Sequence, residues 1–362
     1  MLRVLMIARN TLNLSPGGDT IQIISTAKYL QKLNVKVDIH LTGDIIDYSQ
    51  YNLIHFFNII RPDDIIPHII RSKLPFVTST IFVDYSEYEI RNRSGLTNLF
   101  LRLLNKDQIE YLKVIGRFLK NGDRINSLSY LLKGHRASVR YVAKRSAILL
   151  PNSHNEYKRF TNHYCVDAKY KKVFNAIDTE VFNETIEVNE QFKDYIICVG
   201  RIEGRKNQLN LIKAVLNTDL KLAIIGKPSP NHMSYYNECK SLAEGSNNVV
   251  IIEHISQIEL RAIYKAAKVH VLASWFETTG LSSLEAAIMD CNIVITNKGD
   301  TKEYFKQYAF YCEPDNVTSI KSAIIKAYTT SVNPGLKELV CQYTWLRAAE
   351  QTLEAYKEIL KD

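Results

Sequence analysis

Short apolar runs rich in β-branched residues alternate along this chain with helix-length amphipathic segments, the pattern of parallel strands joined by crossover helices. Two such series occur. The first starts at Leu2–Ala8 (LRVLMIA) and continues through KVDIHLT, NLIHFF, PFVTSTIF and SAILLPN; the second starts at Asp194–Gly200 (DYIICVG) and continues through LKLAIIG, NVVIIEH, KVHVLAS and NIVITN. A chain of 362 residues is more than one hydrophobic core ordinarily serves. The expectation is therefore an α/β chain of two Rossmann-like domains, over residues 1–175 and 194–342. The polar stretch 176–193 (AIDTEVFNETIEVNEQFK) reads as the linker. Residues 343–362 read as a C-terminal helix packing back toward the N-terminal domain, with Leu346, Ala349, Leu353, Tyr356 and Leu360 at helical spacing.

Composition narrows the setting. Hydrophobic residues make up 46% and charged residues 23% of the chain, as in a folded globular protein. The longest apolar runs, such as Val4–Ala8 and Tyr195–Val199, fall far short of the roughly 20 residues of a spanning helix. The first ten residues are broken by Arg9 and Asn10 and do not form a secretory segment, so a cytoplasmic protein is expected. The cysteines stand singly, with no CxxC and no Cys/His cluster at metal-ligand spacing, so neither zinc nor a disulfide framework is expected.

Charge is localised. Residues 101–150 hold 11 Lys and Arg against 3 Asp and Glu, equal to the whole net charge of +8. They overlap a stretch, 86–145, that interrupts the first series with helical segments such as SGLTNLFLRLLNKDQIEYLKVIGRFLK. No recognisable nucleic-acid module accompanies the basic residues, so a nucleic-acid partner is not expected. Anionic lipid head groups or a phosphorylated acceptor fit them, with Lys113, Arg117 and Lys120 as contacts and a peripheral position at the inner face of the membrane. A solvated set of helix faces is the plainer alternative.

The chain has only 14 glycines, and three strand-to-helix junctions carry some of them. Gly17 and Gly18 follow the first strand and precede a helix, where N–H groups suit a phosphate. In VGRIEGRKNQ, Gly200 closes a strand and Arg201 and Lys206 bracket a helix start, an arrangement that calls for a compensating anion. In ASWFETTGLSSLEAAIMDCNIVITNKGD, Glu277 follows a strand, Gly280 leaves the backbone accessible, and Glu285 enters the next helix. Ser282 and Glu285 also fit a capping box, which would make Glu285 a helix cap and nothing more. The dinucleotide fingerprint GxGxxG is absent from every junction.

The Glu277 and Glu285 pair, with Gly200-Arg201 and Lys206 upstream, resembles the nucleotide-sugar site of retaining glycosyltransferases of family 4, which have the GT-B fold. Gly17-Gly18 resembles the family's N-terminal glycine loop, Val173–Phe182 (VFNAIDTEVF) its interdomain segment, and the helix after Tyr343-Thr344-Trp345 its closing helix. The resemblance covers nearly the whole chain, least of all residues 86–145. It implies two Rossmann-like domains facing a central cleft. Arg201 and Lys206 would bind the donor diphosphate, Glu285 the ribose hydroxyls, and Glu277 the sugar beside the reacting carbon. The N–H groups of Thr279, Gly280 and Leu281 would support sugar and phosphates, as would Gly17 and Gly18. The implied reaction is transfer with retention from a nucleotide sugar, first a UDP-sugar and next GDP-mannose, to a glycan or lipid-linked acceptor in polysaccharide or cell-surface glycan biosynthesis.

No cofactor is expected, and no metal, because no Asp-x-Asp motif is present to hold one. Two departures from the family pattern stand out. Asn175-Ala176-Ile177-Asp178 lacks the family's glycine, and no histidine follows PFVTSTIF, where Asp84 and Tyr85 stand instead. His55 and His154 lie near other strand ends. A sugar-nucleotide epimerase of the same fold and a noncatalytic nucleotide-sugar-binding subunit are the alternatives.

Overall fold

A computed structural model describes residues 1–14, 17–92, 104–121, 126–182 and 186–361. It divides into two compact units: Met1–Phe82, Glu89–Asn175 and Trp345–Asp362 form unit 1, and Val83–Tyr88 with Ala176–Thr344 form unit 2.

Unit 1 carries β1 (Arg3–Ala8), α1 (Gly18–Lys32), β2 (Lys36–Leu41), β3 (Leu53–Phe57), α2 (Pro62–Ser72) and β4 (Phe76–Ser79). After α3 (Ser86–Asn92), which starts in unit 2, come α4 (Lys106–Asn121), α5 (Leu128–Arg145), β5 (Ile148–Leu150) and α6 (His154–Tyr164). The five strands form one parallel sheet in the order β2-β1-β3-β4-β5. β1 and β3 are buried almost end to end, as strands covered by helices on both faces must be. Leu5, Ile54, Phe56, Val139, Leu149 and Phe160 share the core, each fully buried and worth about 1.5 to 3 kcal/mol.

The interruption of the first series is only partly an appendage. Residues 93–103 and 122–125 lie outside the described residues. α5 breaks at Gly134 and then runs into the core, where Val139, Val142 and Ala143 pack under the sheet. Just after β4 the buried carboxylate of Glu156 accepts hydrogen bonds from the Thr80 hydroxyl, from Phe82 N at 2.8 Å and from Asn152 N at 2.9 Å. These bonds end the strand at Ser79, so that only the first half of PFVTSTIF is sheet.

The final helix, α14 (Trp345–Ile359), groups with unit 1 and packs on α1. Its buried face differs from the expected stripe. Ala348, Ala349, Thr352, Ala355 and Tyr356 are buried, whereas Leu346 and Leu360 are exposed. Small side chains let two helices approach closely, so the contact selects alanines over the leucines that a periodicity count favours.

Unit 2 repeats the design with β6 (Ile196–Val199), α7 (Gln208–Val215), β7 (Leu222–Ile225), α8 (Met233–Glu244), β8 (Val249–Ile252), α9 (Gln257–Ala266) and β9 (Val269–Leu272). There follow α10 (Leu281–Ile288), β10 (Asn292–Thr296), α11 (Thr301–Phe305), β11 (Phe310–Cys312), α12 (Val317–Thr329) and α13 (Pro334–Val340). Its sheet is again wholly parallel, in the order β11-β10-β9-β6-β7-β8. β11, which the sequence does not signal, is a three-residue edge strand that is only half buried. The stretch 176–193 belongs to this unit, where Ile177 N donates to Tyr343 O at 2.9 Å.

In each sheet the first strand lies between the second and a later one: β1 between β2 and β3, β6 between β7 and β9. The chain thus reverses its winding beside β1 and beside β6. Open parallel sheets bind ligands outside the carboxyl ends of the strands at such reversals.

Candidate functional site

The reversal in unit 2 lies between β6 and β9, and the charged residues of the second and third glycine junctions meet there. Past the end of β6 come Gly200 and Arg201, then a 3₁₀ turn over Gly204–Lys206. Asn207 closes that turn in a left-handed conformation, φ 62°, and its amide donates to Ala273 O at 2.9 Å and Pro314 O at 2.7 Å. The turn is thereby fixed to the residue just beyond β9. Lys206 Nζ lies 2.6 Å from Glu277 Oε1, with the lysine side chain 23% and the glutamate 9% exposed. Burial alone would lower the lysine pKa, but the Glu277 carboxylate beside it raises it to about 12, so the ammonium stays charged.

Glu277 is held from the backbone. Its N–H donates to Lys298 O at 3.3 Å, and its carbonyl accepts from Asp300 N at 2.9 Å. Gly299 runs so close to that carbonyl, at φ 95°, that any Cβ there would collide with Glu277 O. Glycine at 299 is therefore a condition for the position of Glu277.

The compensating anion inferred from the paired cations is partly supplied by the protein. Glu203, almost wholly buried, stands 3.8 Å from Arg201 Nη2 and 3.3 Å from Arg205 Nη2. Burial would raise its pKa, but Arg205, Arg201 and Lys206 together hold it below the ordinary carboxylate value. Three cations thus face two carboxylates, Glu203 and Glu277. Arg201, 41% exposed, is the cation left most open to a ligand.

Glu285 does not cap its helix. The N-cap of α10 is Gly280, at φ 76°, so Ser282 is already inside the first turn and its hydroxyl donates to Val199 O at 3.0 Å. The left-handed backbone at Gly280 strains any residue with a side chain, and a Cβ there would also press on the Ile295 Cδ1 methyl at 2.9 Å. Glu285, one turn further on, accepts from the Tyr264 hydroxyl at 3.2 Å. Burial pushes its carboxyl up to about 7, against the opposing pull of that hydrogen bond. Thr279 is buried, and Leu281 opens the first turn, where N–H groups have no intrahelical acceptor.

Unit 2 also includes the segment Val83–Tyr88. The Arg205 guanidinium stacks over the Tyr85 ring at 4.5 Å, Phe276 meets that ring edge-on at 6.2 Å, and Tyr88 lies 6.1 Å from Trp275. Glu87 pairs with Lys298 at 3.3 Å. Lys206 and Glu277 are the charges that act most strongly on the Tyr85 phenol, whose pKa is raised chiefly by burial. Its hydroxyl has no hydrogen-bond partner among the described residues.

Gly17 and Gly18 lie in unit 1, Gly17 as the extended N-cap of α1 with its N–H bonded to Thr20 Oγ1 at 3.1 Å. His55 is a core residue: its ring bonds Tyr356 Oη at 2.7 Å and Ser79 Oγ at 2.8 Å, and burial pushes its pKa down to about 3. His154 starts α6 on the surface, beside Tyr170 Oη at 3.2 Å. Sequence reasoning passes over Glu203, Arg205 and Tyr264. The first two sit inside the VGRIEGRKNQ junction, where an acid flanked by cations is a readable signal; Tyr264 lies on another helix and leaves none.

Residues 182–338 match the family described as Glycosyl transferases group 1. The chain is 26% identical over 212 residues to an uncharacterised glycosyltransferase of Methanocaldococcus jannaschii, covering 52% of this chain and 54% of that one. It is 25% identical over 205 residues to the D-inositol 3-phosphate glycosyltransferase of Pseudarthrobacter chlorophenolicus, covering 52% and 47%. The chain thus spans about half the length of the curated relatives it matches. Among solved structures it is similar to the sucrose-phosphate synthase of Thermosynechococcus elongatus, with TM-score 0.76, 13% identity and full coverage of both chains. It is also similar to HepE of Anabaena, solved with UDP and glucose, with TM-score 0.70, 13% identity, and 99% and 100% coverage. At that identity the likeness is one of fold, and the fold is GT-B: two parallel-sheet Rossmann-like units in one chain.

Proposed function

We propose that the chain is a retaining glycosyltransferase of family 4 that moves a sugar, first of all from a UDP-linked donor, to a glycan or lipid-linked acceptor. The observation that carries this reading is the Lys206–Glu277 pair at the β6/β9 reversal, with Arg201 near Glu203 in the same junction and Glu285 one helical turn into α10. Lys206 and Arg201 hold the diphosphate, whose negative charge grows as its bond to the anomeric carbon breaks and the acceptor oxygen takes its place. Glu277 accepts from a sugar hydroxyl and Glu285 from the ribose hydroxyls. The N–H groups of Thr279, Gly280 and Leu281 support the donor. The match over residues 182–338 and the UDP in the HepE structure support a nucleotide-sugar donor. Polysaccharide or cell-surface glycan synthesis, by a peripheral enzyme at the inner face of the membrane, is the setting proposed.

The test is a panel of nucleotide sugars and nucleoside diphosphates, read by thermal stabilisation and by donor hydrolysis or transfer. A UDP-sugar that stabilises the chain and is consumed supports the reading. Binding without turnover for every donor would leave a noncatalytic subunit, and conversion to an isomeric donor without an acceptor would make it an epimerase.

A further inference from the structure

The ladder between β6 and β9 is short: it pairs Ile196 with Val269 and Ile197 with His270, and stops there. Past that point the first turn of α10 is bonded to both strands. On the β6 side the Ser282 hydroxyl donates to Val199 O at 3.0 Å, and on the β9 side Ser283 Oγ lies 3.2 Å from His270 Nδ1. The N-cap, Gly280, has no side chain with which to bond that turn, so its placement against the sheet rests on the two serines. His270 is completely buried, and burial pushes its pKa down to about 3, so the ring is neutral. Its Nε2 has no hydrogen-bond partner among the described residues.

We infer that Ser282 and Ser283, the latter through His270, are positioning residues for the donor: they clamp the first turn of α10 across the β6/β9 reversal, so that the N–H groups of Gly280 and Leu281 meet a diphosphate in one fixed placement. The inference rests on the glycosyltransferase reading and deepens it. Stability does not account for the His270–Ser283 pair. A buried hydrogen-bonded pair gains little over apolar side chains of the same shape, and here the ring also carries an orphaned nitrogen that an apolar residue would not. What the pair supplies is direction. A hydrogen bond fixes where the turn sits along the strand, whereas apolar side chains in contact allow it to slide. A diphosphate rewards such fixing, because N–H donors stabilise developing charge best when they need no rearrangement.

Two variants of the full chain test this, Ser282→Ala and the double variant His270→Leu with Ser283→Ala, which removes both partners of the buried pair at nearly constant volume. Each is followed by calorimetric titration of UDP and of GDP, by thermal melts, and by amide hydrogen exchange. The double variant is expected to melt at or above wild type. The Ser283 and Leu284 amides, bonded to Gly280 O at 2.9 and 3.1 Å, should nevertheless exchange faster. Each variant should bind the tighter of the two nucleotides about tenfold more weakly. Ser282→Thr, which keeps the hydroxyl, should bind like wild type. The inference is overturned if both variants bind like wild type, or if affinity falls only where the melting temperature falls with it. Wild type binding a nucleotide that both variants bind equally well sinks this inference alone. Wild type binding neither nucleotide removes the proposed donor, and the inference with it.

Discussion

The Lys206 ammonium and the Glu277 carboxylate, 71 residues apart in the chain, meet at 2.6 Å in a largely buried ion pair. For the lysine, that carboxylate is the strongest nearby opposite charge. A bound diphosphate would compete for the lysine and release the carboxylate toward a sugar hydroxyl, so donor binding exchanges one set of charge-assisted bonds for another. Breaking a buried pair from one side costs more than removing both partners, because the survivor is left desolvated and uncompensated.

That asymmetry separates stability from function. Lys206→Ala should lower stability by about 3 kcal/mol and slow transfer by a further 2 to 4 kcal/mol, roughly, of lost transition-state stabilisation. Lys206→Met combined with Glu277→Leu should recover most of the stability and none of the activity. Arg201→Ala, at a more exposed cation, should leave stability unchanged and reduce kcat/KM. Thermal melts alongside kcat/KM check all three, and an active double variant would exclude the pair from the site.

Glu285 gives a pH signature. Its carboxyl, raised from the ordinary 4.5 to about 7, holds its proton more tightly folded than unfolded. The resulting stability is fully present below pH 4.5 and is lost as pH rises through 7, by on the order of 3 kcal/mol. Ribose hydroxyls bond more strongly to the ionised carboxylate, which accepts at both oxygens, so donor affinity should run the other way and increase as pH rises through 7. Glu285→Gln should flatten both profiles and weaken donor binding while leaving the melting temperature at pH 5 near wild type. A lower melting temperature with normal affinity would return Glu285 to a structural role.

Tyr85 separates packing from chemistry. Tyr85→Ala removes the stack under Arg205 and the edge contact with Phe276, which should cost about 1 to 2 kcal/mol of stability. Tyr85→Phe keeps both contacts and deletes only the unpartnered hydroxyl. If that hydroxyl meets the donor, Tyr85→Phe melts like wild type and loses about tenfold in kcat/KM. Equal activity of Tyr85→Phe and wild type would make the residue a packing element.

Much of this was legible from pattern. The strands β1 to β10 fall inside the runs read from the sequence; central strands such as β1, β3 and β9 are buried on both faces and read as hydrophobic runs, whereas the edge strand β2 (KVDIHL) is half exposed and mixes polar residues with apolar ones. The charged residues at the two unit 2 junctions were readable because glycine and charge rarely coincide at a strand end without a reason. Contacts set by distant chain were not legible. Nothing local says that Tyr264 bonds Glu285, that Ser282 turns to Val199, or that Val83–Tyr88 packs against Arg205 and Trp275. The rotated face of α14 was lost for the same reason: its partner, α1, chooses small residues.

The basic stretch yields the last prediction. Of the three residues first in view, Lys113 is already paired with Glu89 and Glu110, and the side chains of Arg117 and Lys120 lie outside the described residues. The surface of α5 offers a better set: Lys133 and Arg145 both stack on Tyr141, at 4.6 and 4.7 Å, with Lys144 exposed next to Arg145. On the same helix Leu128 is 79% and Leu132 89% exposed. Basic side chains near an anionic bilayer contribute about 1 kcal/mol each, and exposed leucines can enter the interface. No described helix is long and apolar enough to cross a membrane. The full chain should therefore bind vesicles containing phosphatidylserine, and binding should fall steeply with salt as charges are screened over about 8 Å at physiological ionic strength. Reversing Lys133, Lys144 and Arg145 to Glu together should abolish vesicle binding and leave UDP titration unchanged. No preference for anionic over neutral vesicles at low salt would make the surplus a solvated face.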